Sequence, residues 1–367
     1  MKFRRQGAAQ APNLNRRWLA RKRRAGARAL QPEANLLRCV GRRLPEDFAT
    51  RRAGHLAARA LQVNPPPNRN AGPFAREVAS GDDFRRGRVL CANPRGLHHV
   101  AYLEWGRRDN PRVVVLAHGL THNSRVFDFL AHALARDYRV ICADVVGRCA
   151  SDRLSDPAGY QVQQYVSDFV TLIARLNVES LDWVGTSMGG LIGMALAAQA
   201  GSPIKRLLLN DVGPVLQRAA LERIAAYVGI PIVFPDLAAA EAHIRTISAP
   251  FGNLDDAWWR HLAIHLTQAR PEGGFAMNYD PNISVALRAA AAGPDLDLWP
   301  LYDAVRCPTL LLRGAESDLL GAEVAHAMTQ RGPRPRLVEV PQVGHHAPMF
   351  MAEAQIHLVQ DFLRETN

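Results

Sequence analysis

The sequence predicts an α/β fold with a mostly parallel, doubly wound sheet of eight strands. Strand-like apolar runs alternate regularly with helical patterns beyond residue 85. One buried strand, at residues 181–186, leads through a glycine-containing turn straight into a helical pattern. Helical, partly aromatic segments interrupt the alternation at residues 215–300. Regular alternation of strands and helices is typical of a parallel sheet with helices on its faces.

The individual elements are read from apolar runs and from their spacing. The most apolar runs, such as 112–117 and 308–313, indicate strands buried on both faces of the sheet. The eight strands are expected near residues 86–92, 98–106, 112–117, 138–145, 181–186, 205–211, 308–313 and 335–340. Apolar residues at helical spacing predict helices near 125–136, 160–177, 188–200, 321–331 and 351–365.

The positive charge of the chain is concentrated at its N-terminus. The whole chain has 45 Lys and Arg against 34 Asp and Glu, a formal net charge of +11. Residues 1–75 contain 17 of the basic residues and three acidic ones, so the remainder is mildly acidic. Residues 64–73, rich in Pro and Asn, indicate a linker. We predict a disordered basic extension at 1–75, with binding of a polyanion or an anionic membrane surface as the less favoured alternative.

The remaining residues are numerous enough for one α/β domain with its own core. We predict that this core is formed by residues 76–214 and 301–367, and that residues 215–300 form an inserted helical cap. No run of 18 apolar residues predicts a transmembrane helix. Five cysteines, an odd number without framework spacing, indicate a reducing cytoplasm. The sequence does not indicate an oligomeric state.

The turn after the strand at 181–186 carries the most specific chemical signal in the chain. Gly185-Thr186-Ser187-Met188-Gly189 ends a strand and begins a helix. In this context a serine is held at a sharp, strained turn that exposes its hydroxyl above the sheet. Gly185 and Gly189 carry no Cβ, which lets neighbouring segments approach the turn closely. Ser187 is therefore the candidate nucleophile.

A second turn makes a family resemblance visible. The buried strand that ends at Ala117 is followed by His118-Gly119-Leu120-Thr121. With this turn and the serine turn together, the chain resembles the α/β-hydrolase family. The resemblance implies that the two turns supply the backbone N–H groups of an oxyanion hole, here those of Leu120 and Met188. His118 precedes the serine and is expected to hold the loop rather than to act as the base.

The resemblance also implies an orienting carboxylate after one of the later strands. Asp318, just beyond Gly314, matches the usual place in the family, and the order Ser–Asp–His favours it. Asp211, at the end of the preceding strand, is the alternative because some family members take their acid from there. If Asp318 is the acid, Asp211 is expected to cap a turn or to line the site entrance.

The base is expected in the segment Gly344-His345-His346-Ala347-Pro348. Members of the resembling family usually have Gly-His-x-Pro, with one histidine. His345 has the required glycine before it, whereas His346 has the required proline two positions later. We favour His345, because the preceding strand fixes the height of the base above the sheet, and keep His346 as the alternative.

These residues predict a serine hydrolase that cleaves a small carboxylic ester through an acyl-enzyme intermediate. A lactone, a thioester, a C–C bond or cofactor-free acyl transfer would use the same residues. A non-catalytic binding role is less favoured because the nucleophile, acid and base are all present. The sequence contains no metal-binding or phosphate-binding motif, so no cofactor and no metal are predicted. The expected partner is a small acyl substrate, and no nucleic acid is expected.

Overall fold

The computed structural model describes residues 83–252, 254–345 and 352–365. The predicted basic extension at 1–75, its linker at 64–73 and the alternative base His346 lie outside the described residues. The strands are β1 (Phe84–Asn93), β2 (Gly96–Trp105), β3 (Val113–Ala117), β4 (Arg139–Ala143), β5 (Leu181–Thr186), β6 (Ile204–Asn210), β7 (Val215–Leu216), β8 (Thr267–Ala269), β9 (Phe275–Met277), β10 (Leu296–Asp297), β11 (Thr309–Gly314) and β12 (Arg336–Val340).

The α-helices follow the strands in the predicted alternation. They are α1 (Asp128–Leu134), α2 (Val162–Leu176), α3 (Met188–Ala197), α4 (Arg218–Ala225), α5 (Leu237–Ile247), α6 (Asp256–Leu266), α7 (Ser284–Ala291), α8 (Trp299–Tyr302), α9 (Ala322–Met328) and α10 (Glu353–Arg364). Short 3-10 helices occur at Ser124–Phe127, Pro157–Gly159, Ala249–Phe251 and Pro281–Ile283.

Eight strands form one sheet in the order β1-β2-β4-β3-β5-β6-β11-β12. β1 pairs antiparallel with β2, and β2 pairs antiparallel with β4, whereas the other neighbours pair parallel. The predicted eight-stranded, mostly parallel sheet is therefore confirmed, with every predicted strand boundary within two residues of the observed one. Parallel pairing places the carboxyl ends of β3, β5, β6, β11 and β12 at one edge of the sheet, where ligands bind in open α/β folds.

Side chains of the central strands alternate between two apolar clusters, one on each face of the sheet. In β3, Val113, Val115 and Ala117 belong to one cluster, and Val114 and Leu116 belong to the other. Helices α2 and α3 pack on the first face, and helices α1 and α10 pack on the second. Burial on both faces explains why these strands are continuously apolar in sequence.

An inserted segment, residues 215–300, separates β6 from β11 in the chain. It contains four helices, α4 to α7, two short antiparallel ribbons, and the start of α8. One ribbon pairs β7 with β10, so the beginning and the end of the inserted segment lie side by side. The other ribbon pairs β8 with β9. Among the described residues, no helix is both long enough and apolar enough to cross a membrane.

Candidate active site

Ser187 lies between β5 and α3 in a strained backbone conformation. Its φ of 50° and ψ of −116° are uncommon for a residue other than glycine. A Cβ added to Gly185 would lie 2.3 Å from the carbonyl oxygen of Gly189, and one added to Gly189 would lie 2.0 Å from that of Ala117. Because the obstructing atoms are backbone atoms, both positions require glycine. The close approach expected from the sequence is present at both glycines.

A continuous line of hydrogen bonds runs from Ser187 through His345 to Asp211. Ser187 Oγ lies 3.2 Å from Nε2 of His345, and Nδ1 of the same ring lies 2.8 Å from Oδ2 of Asp211. Asp211 is fully buried just beyond the end of β6. A carboxylate accepts from Nδ1–H, so this network assigns the proton of the neutral ring to Nδ1 and leaves Nε2 to accept from the serine hydroxyl.

Asp211 receives two further hydrogen bonds, one from the last residue of β11 and one from the loop that follows. The backbone N–H of Gly314 donates to Oδ1 over 3.0 Å, and the hydroxyl of Ser317 donates to Oδ2 over 2.7 Å. With the imidazole N–H, three donors fix this carboxylate. Hydrogen bonds of this kind hold the carboxylate in one orientation.

The structure brings Asp211, the alternative acid, into contact with His345 and does not bring Asp318, the favoured acid, there. Asp318 is about half exposed and forms a two-atom ion pair with Arg223 of α4, at 2.5 and 2.8 Å. After β11 the chain turns so that the Ser317 hydroxyl faces Asp211. The order Ser–Asp–His, which favoured Asp318, is satisfied equally by Asp211 and therefore could not distinguish them.

The Gly119–Leu120 peptide is oriented by His118. Nδ1 of His118 lies 2.7 Å from the Gly119 carbonyl oxygen, and Nε2 accepts the Val145 backbone N–H at 2.9 Å. Because the peptide is planar and trans, holding this carbonyl also directs the opposed N–H of Leu120. Among the described residues, the N–H groups of Leu120 and Met188 meet no backbone carbonyl. Both are therefore available to an oxygen atom near Ser187.

His118 performs this task as a neutral imidazole. Its side chain is buried, and burial lowers the pKa of His118 to about 3. A neutral ring has one donor and one acceptor, and the two contacts with Gly119 and Val145 use both. His118 is thus a loop-holding residue, in agreement with the expectation from its position before the serine.

The inserted segment contacts the loops that carry the candidate site residues. The N–H of Gly344, which precedes His345, donates to the carbonyl oxygen of Pro250 over 2.7 Å. The ring of Phe251 meets the ring of His122 edge-on, with centroids 5.9 Å apart. The inserted segment therefore reaches both the histidine loop and the loop after β3.

Two side-chain groups within the described residues have metal-ligand chemistry, and neither is well suited to an ion. In the first, Cys91, His98 and Asp168 are all buried. Asn93 Nδ2–H donates to Nδ1 of His98, which leaves the ring proton on Nε2, where it bonds Asp168. Burial also raises the pKa of Cys91 to about 12, which keeps the thiol protonated and a poor ligand.

The second group combines Asp128 with His261 and His265 of α6. The guanidinium of Arg125 already binds Asp128, with Nε 2.8 and 3.0 Å from its two carboxylate oxygens. Nε2 of His261 lies 3.0 Å from the carbonyl oxygen of Arg125, a contact that requires an N–H on that nitrogen. A resident cation would have to displace both contacts.

The chain belongs to the α/β-hydrolase fold family, whose family model matches residues 112–351. A relative, the 3-hydroxybutyrate-oligomer hydrolase of Cupriavidus necator, is 51% identical over 286 residues, which are 76% of this chain and 97% of the relative. An α/β hydrolase from Novosphingobium aromaticivorans superposes with a TM-score of 0.68 at 34% identity, covering 77% of this chain and 98% of that one. A putative hydrolase from Rickettsia typhi gives 0.72 at 29% identity, covering 77% and 99%.

These similarities confirm the predicted α/β-hydrolase fold and the prediction that the chain is an ester-cleaving hydrolase. The signal for Ser187 was local, because the strand–turn–helix pattern requires glycines at fixed positions around it. Asp211 carried a weaker signal as one of several carboxylates that follow a strand. The contribution of Ser317 was missed, since nothing in the local sequence indicates that its hydroxyl binds a residue 106 positions away.

Proposed function

We propose that this chain is a serine esterase that hydrolyses short oligomers of 3-hydroxybutyrate, or of a closely similar hydroxy acid. The hydrogen-bonded line from Ser187 through His345 to Asp211 is the observation that carries the catalytic part of the proposal. The substrate class is supported by 51% identity to the Cupriavidus necator oligomer hydrolase along 97% of that protein. Oligomers of a hydroxy acid are linear esters, which suits a nucleophilic serine.

The first half of the reaction forms an acyl-enzyme. Nε2 of His345 takes the proton of Ser187 Oγ as that oxygen attacks the ester carbonyl carbon. Asp211 stabilises the imidazolium through its hydrogen bond to Nδ1–H. The carbonyl oxygen becomes an oxyanion that accepts from the N–H groups of Leu120 and Met188, each donor being worth about 2.7–4 kcal/mol in the transition state. Nε2–H then protonates the departing alkoxide, which leaves as the hydroxyl end of the released oligomer fragment.

The second half of the reaction regenerates the enzyme. His345 takes a proton from a water molecule, whose oxygen attacks the acyl carbon while the same two N–H groups receive the oxyanion. The ester bond to Ser187 then breaks, and the imidazolium returns its proton to Oγ. One water is consumed for each ester bond, and one carboxylic acid and one alcohol are formed.

We further propose that the inserted segment, residues 215–300, acts as a cap over a core formed by residues 76–214 and 301–367. Its contacts to Gly344 and His122 support this role. A cap that encloses the nucleophile suits short, soluble oligomers better than a solid polymer. A cytoplasmic location is supported by the cysteines, because the four in the described part of the chain are all free thiols.

The test is the release of 3-hydroxybutyrate from the purified linear dimer, trimer and tetramer, using each enantiomer. Wild type is compared with Ser187→Ala and with Ser167→Ala, which removes an exposed serine from α2. We expect Ser187→Ala to lower kcat by about 10⁴-fold or more, because a triad member is lost. Ser167→Ala is expected to match wild type.

Each result separates one part of the proposal from another. Turnover of the oligomers that survives Ser187→Ala would overturn the serine mechanism. Serine-dependent turnover of simple aryl esters without turnover of any oligomer would retain the esterase and reject the substrate class. Formation of a new ester in the presence of added alcohol, in place of free acid, would indicate acyl transfer.

A further inference from the structure

Arg148 is a fully buried arginine on the loop that follows β4. Its side chain has no exposed surface, although arginine is almost never fully buried without a charged partner. Among the described residues, no carboxylate oxygen lies within ion-pair distance of its guanidinium, whose contacts are to carbonyl, hydroxyl and sulfur atoms. Removing an arginine charge from water in this way is energetically unfavourable. Because burying this charge is so unfavourable, its presence at this position points to a role for it.

The guanidinium contacts both Leu120 and Met188, the two residues proposed to donate to the oxyanion. Nε–H donates to the carbonyl oxygen of Leu120 over 2.9 Å, and Nη2 lies 3.6 Å from the sulfur of Met188. Leu120 is on the loop after β3, and Met188 is the first residue of α3. One side chain therefore connects the loop after β3 with the first turn of α3, although Leu120 and Met188 are 68 positions apart in the sequence.

The other side of the guanidinium is held in place by neutral groups. Nη1 donates to the Val146 carbonyl oxygen and to the hydroxyl of Tyr165, at 2.6 and 3.1 Å. The guanidinium carbon also lies over the rings of Tyr165 and Tyr160, 5.0 and 5.9 Å from their centroids. Aromatic faces and carbonyl dipoles stabilise the cation partly without neutralising it. Its field therefore remains available to a negative charge that develops nearby.

Arg148 also affects His118, which orients the Gly119–Leu120 peptide. After burial, the positive charge of Arg148 is among the causes that lower the pKa of His118. The peptide on one side of Leu120 is thus held by neutral His118, and the peptide on the other side is held by Arg148 directly. Together they determine the direction of the Leu120 N–H.

We infer that Arg148 is a positioning residue of the oxyanion hole, which holds Leu120 and Met188 in register and places a positive charge behind both N–H donors. The inference rests on the proposed function, since it needs an oxyanion to form at Ser187. Arg148 touches the donor residues rather than the reacting atoms. Its contribution is therefore greatest in the tetrahedral transition states, when negative charge is present on the former carbonyl oxygen.

The test compares wild type with Arg148→Lys, which keeps the charge, and Arg148→Met, which keeps much of the volume but removes charge and donors. Arg153→Met is the matched control, because it removes an exposed arginine from the same loop after β4. For each protein we would measure kcat, KM and the inhibition constant of an alkyl boronic acid, which forms a tetrahedral adduct with the serine. Thermal unfolding establishes that each variant is folded.

We expect Arg148→Met to lower kcat by about 100-fold, the scale of a small misplacement of catalytic groups, with KM changed by less than about threefold. The inhibition constant of the boronic acid should rise by the same factor as kcat/KM falls. Arg148→Lys should recover part of both effects, because the charge remains while the forked donor geometry is lost. Arg153→Met should stay within about threefold of wild type in kcat.

A merely structural arginine would give a different pattern. Lower thermal stability with unchanged kcat and unchanged boronic acid affinity, in Arg148→Lys or in Arg148→Met, would overturn the inference. If Arg148→Met does not fold, Arg148→Lys alone tests the inference. A folded lysine variant with wild-type kcat and wild-type affinity for the boronic acid would contradict the role of the guanidinium. Full activity in Ser187→Ala would instead overturn the proposed function, and the inference with it.

Discussion

Asp211 and Asp318 follow neighbouring strands of the sheet, and a single substitution at each position separates their roles. We predict that Asp211→Asn lowers kcat by about 10⁴-fold, because an amide at this place allows the wrong tautomer of His345. Asp318→Asn removes only the ion pair to Arg223, which is half exposed and worth little. Its kcat should stay within a few-fold of wild type. Steady-state kinetics on one ester substrate measures both.

The reverse ranking, with Asp318→Asn inactive and Asp211→Asn active, would contradict the assignment of the acid. Circular dichroism and thermal unfolding are needed for Asp211→Asn, since its carboxylate also accepts from Gly314 and Ser317. Ser317→Ala provides an intermediate case, because it removes one of these bonds and leaves the imidazole contact in place. Its kcat should lie between those of wild type and Asp211→Asn.

Some site residues could be identified from the sequence and others could not. The difference is whether a local sequence pattern or a tertiary contact determines the residue. Ser187 with Gly185 and Gly189 could be predicted, because the backbone of one turn imposes the pattern. The choice of Asp211 depends on the direction in which the loop after β11 turns, and tertiary contacts set that direction. Two adjacent histidines cannot be separated by spacing alone, whereas the geometry places the ring of His345 between Ser187 and Asp211.

At the scale of elements, the junction of β3, β5 and α3 depends on glycine. We predict that Gly189→Ala unfolds the serine turn or abolishes activity, because the new Cβ would lie 2.0 Å from the Ala117 carbonyl oxygen. Overpacking of this kind typically costs about 1–3 kcal/mol, and more where backbone is the obstacle. Gly321→Ala is the matched control, since its Cβ would meet nothing within 4 Å and its φ is −62°. Urea unfolding and an esterase assay should show a large loss only for Gly189→Ala, and equal losses would contradict this packing argument.

The junction between the inserted segment and the histidine loop gives a second prediction at this scale. Gly252 and Gly273 both have a positive φ, of 87° and 95°, so alanine strains the backbone at either position. A Cβ on Gly252 would also lie 2.8 Å from the Gln342 carbonyl oxygen, whereas one on Gly273 would meet nothing within 4 Å.

We therefore expect both alanine variants to lose some stability, and only Gly252→Ala to lose kcat as well. The reason is that a displaced Gln342 would shift the loop that carries His345. Kinetic constants measured below the unfolding temperature of both variants provide the comparison. Equal kcat in the two variants would show that this junction does not position the base.

For the whole molecule, the sheet could be predicted more completely than the site. Strands β3, β4, β5 and β11, with the second half of β6, are buried on both faces and are recognisable as apolar runs. The contacts of the inserted segment were not predictable, because Pro250, Phe251 and Asn278 bond residues distant in sequence. Local patterns thus predict the layers, and long-range contacts determine the site.

Two buried histidines and two partly buried ones make the stability of the whole molecule dependent on pH. Burial lowers the pKa of His118 and His265 to about 3, and that of His122 and His261 to about 4, from an ordinary value of 6.5. Below pH 6.5 the unfolded chain binds protons that the folded chain does not. The stabilisation is therefore fully present above about pH 6.5 and is lost as the pH falls towards 4.

We predict that the free energy of unfolding falls steadily between pH 6.5 and 4.5, by up to about 1.4 kcal/mol per pH unit for each of these histidines. His261→Gln combined with His265→Gln should reduce that slope by about half, because two of the four proton uptake sites disappear from the unfolded chain. His357→Gln, at an exposed position of α10, is the control for a histidine substitution as such. Urea unfolding at several pH values measures the slope. A free energy of unfolding that is constant from pH 7 to 4.5 would mean that these imidazoles bind protons in the folded protein. That result would contradict a neutral His118, on which the orientation of the Leu120 N–H depends.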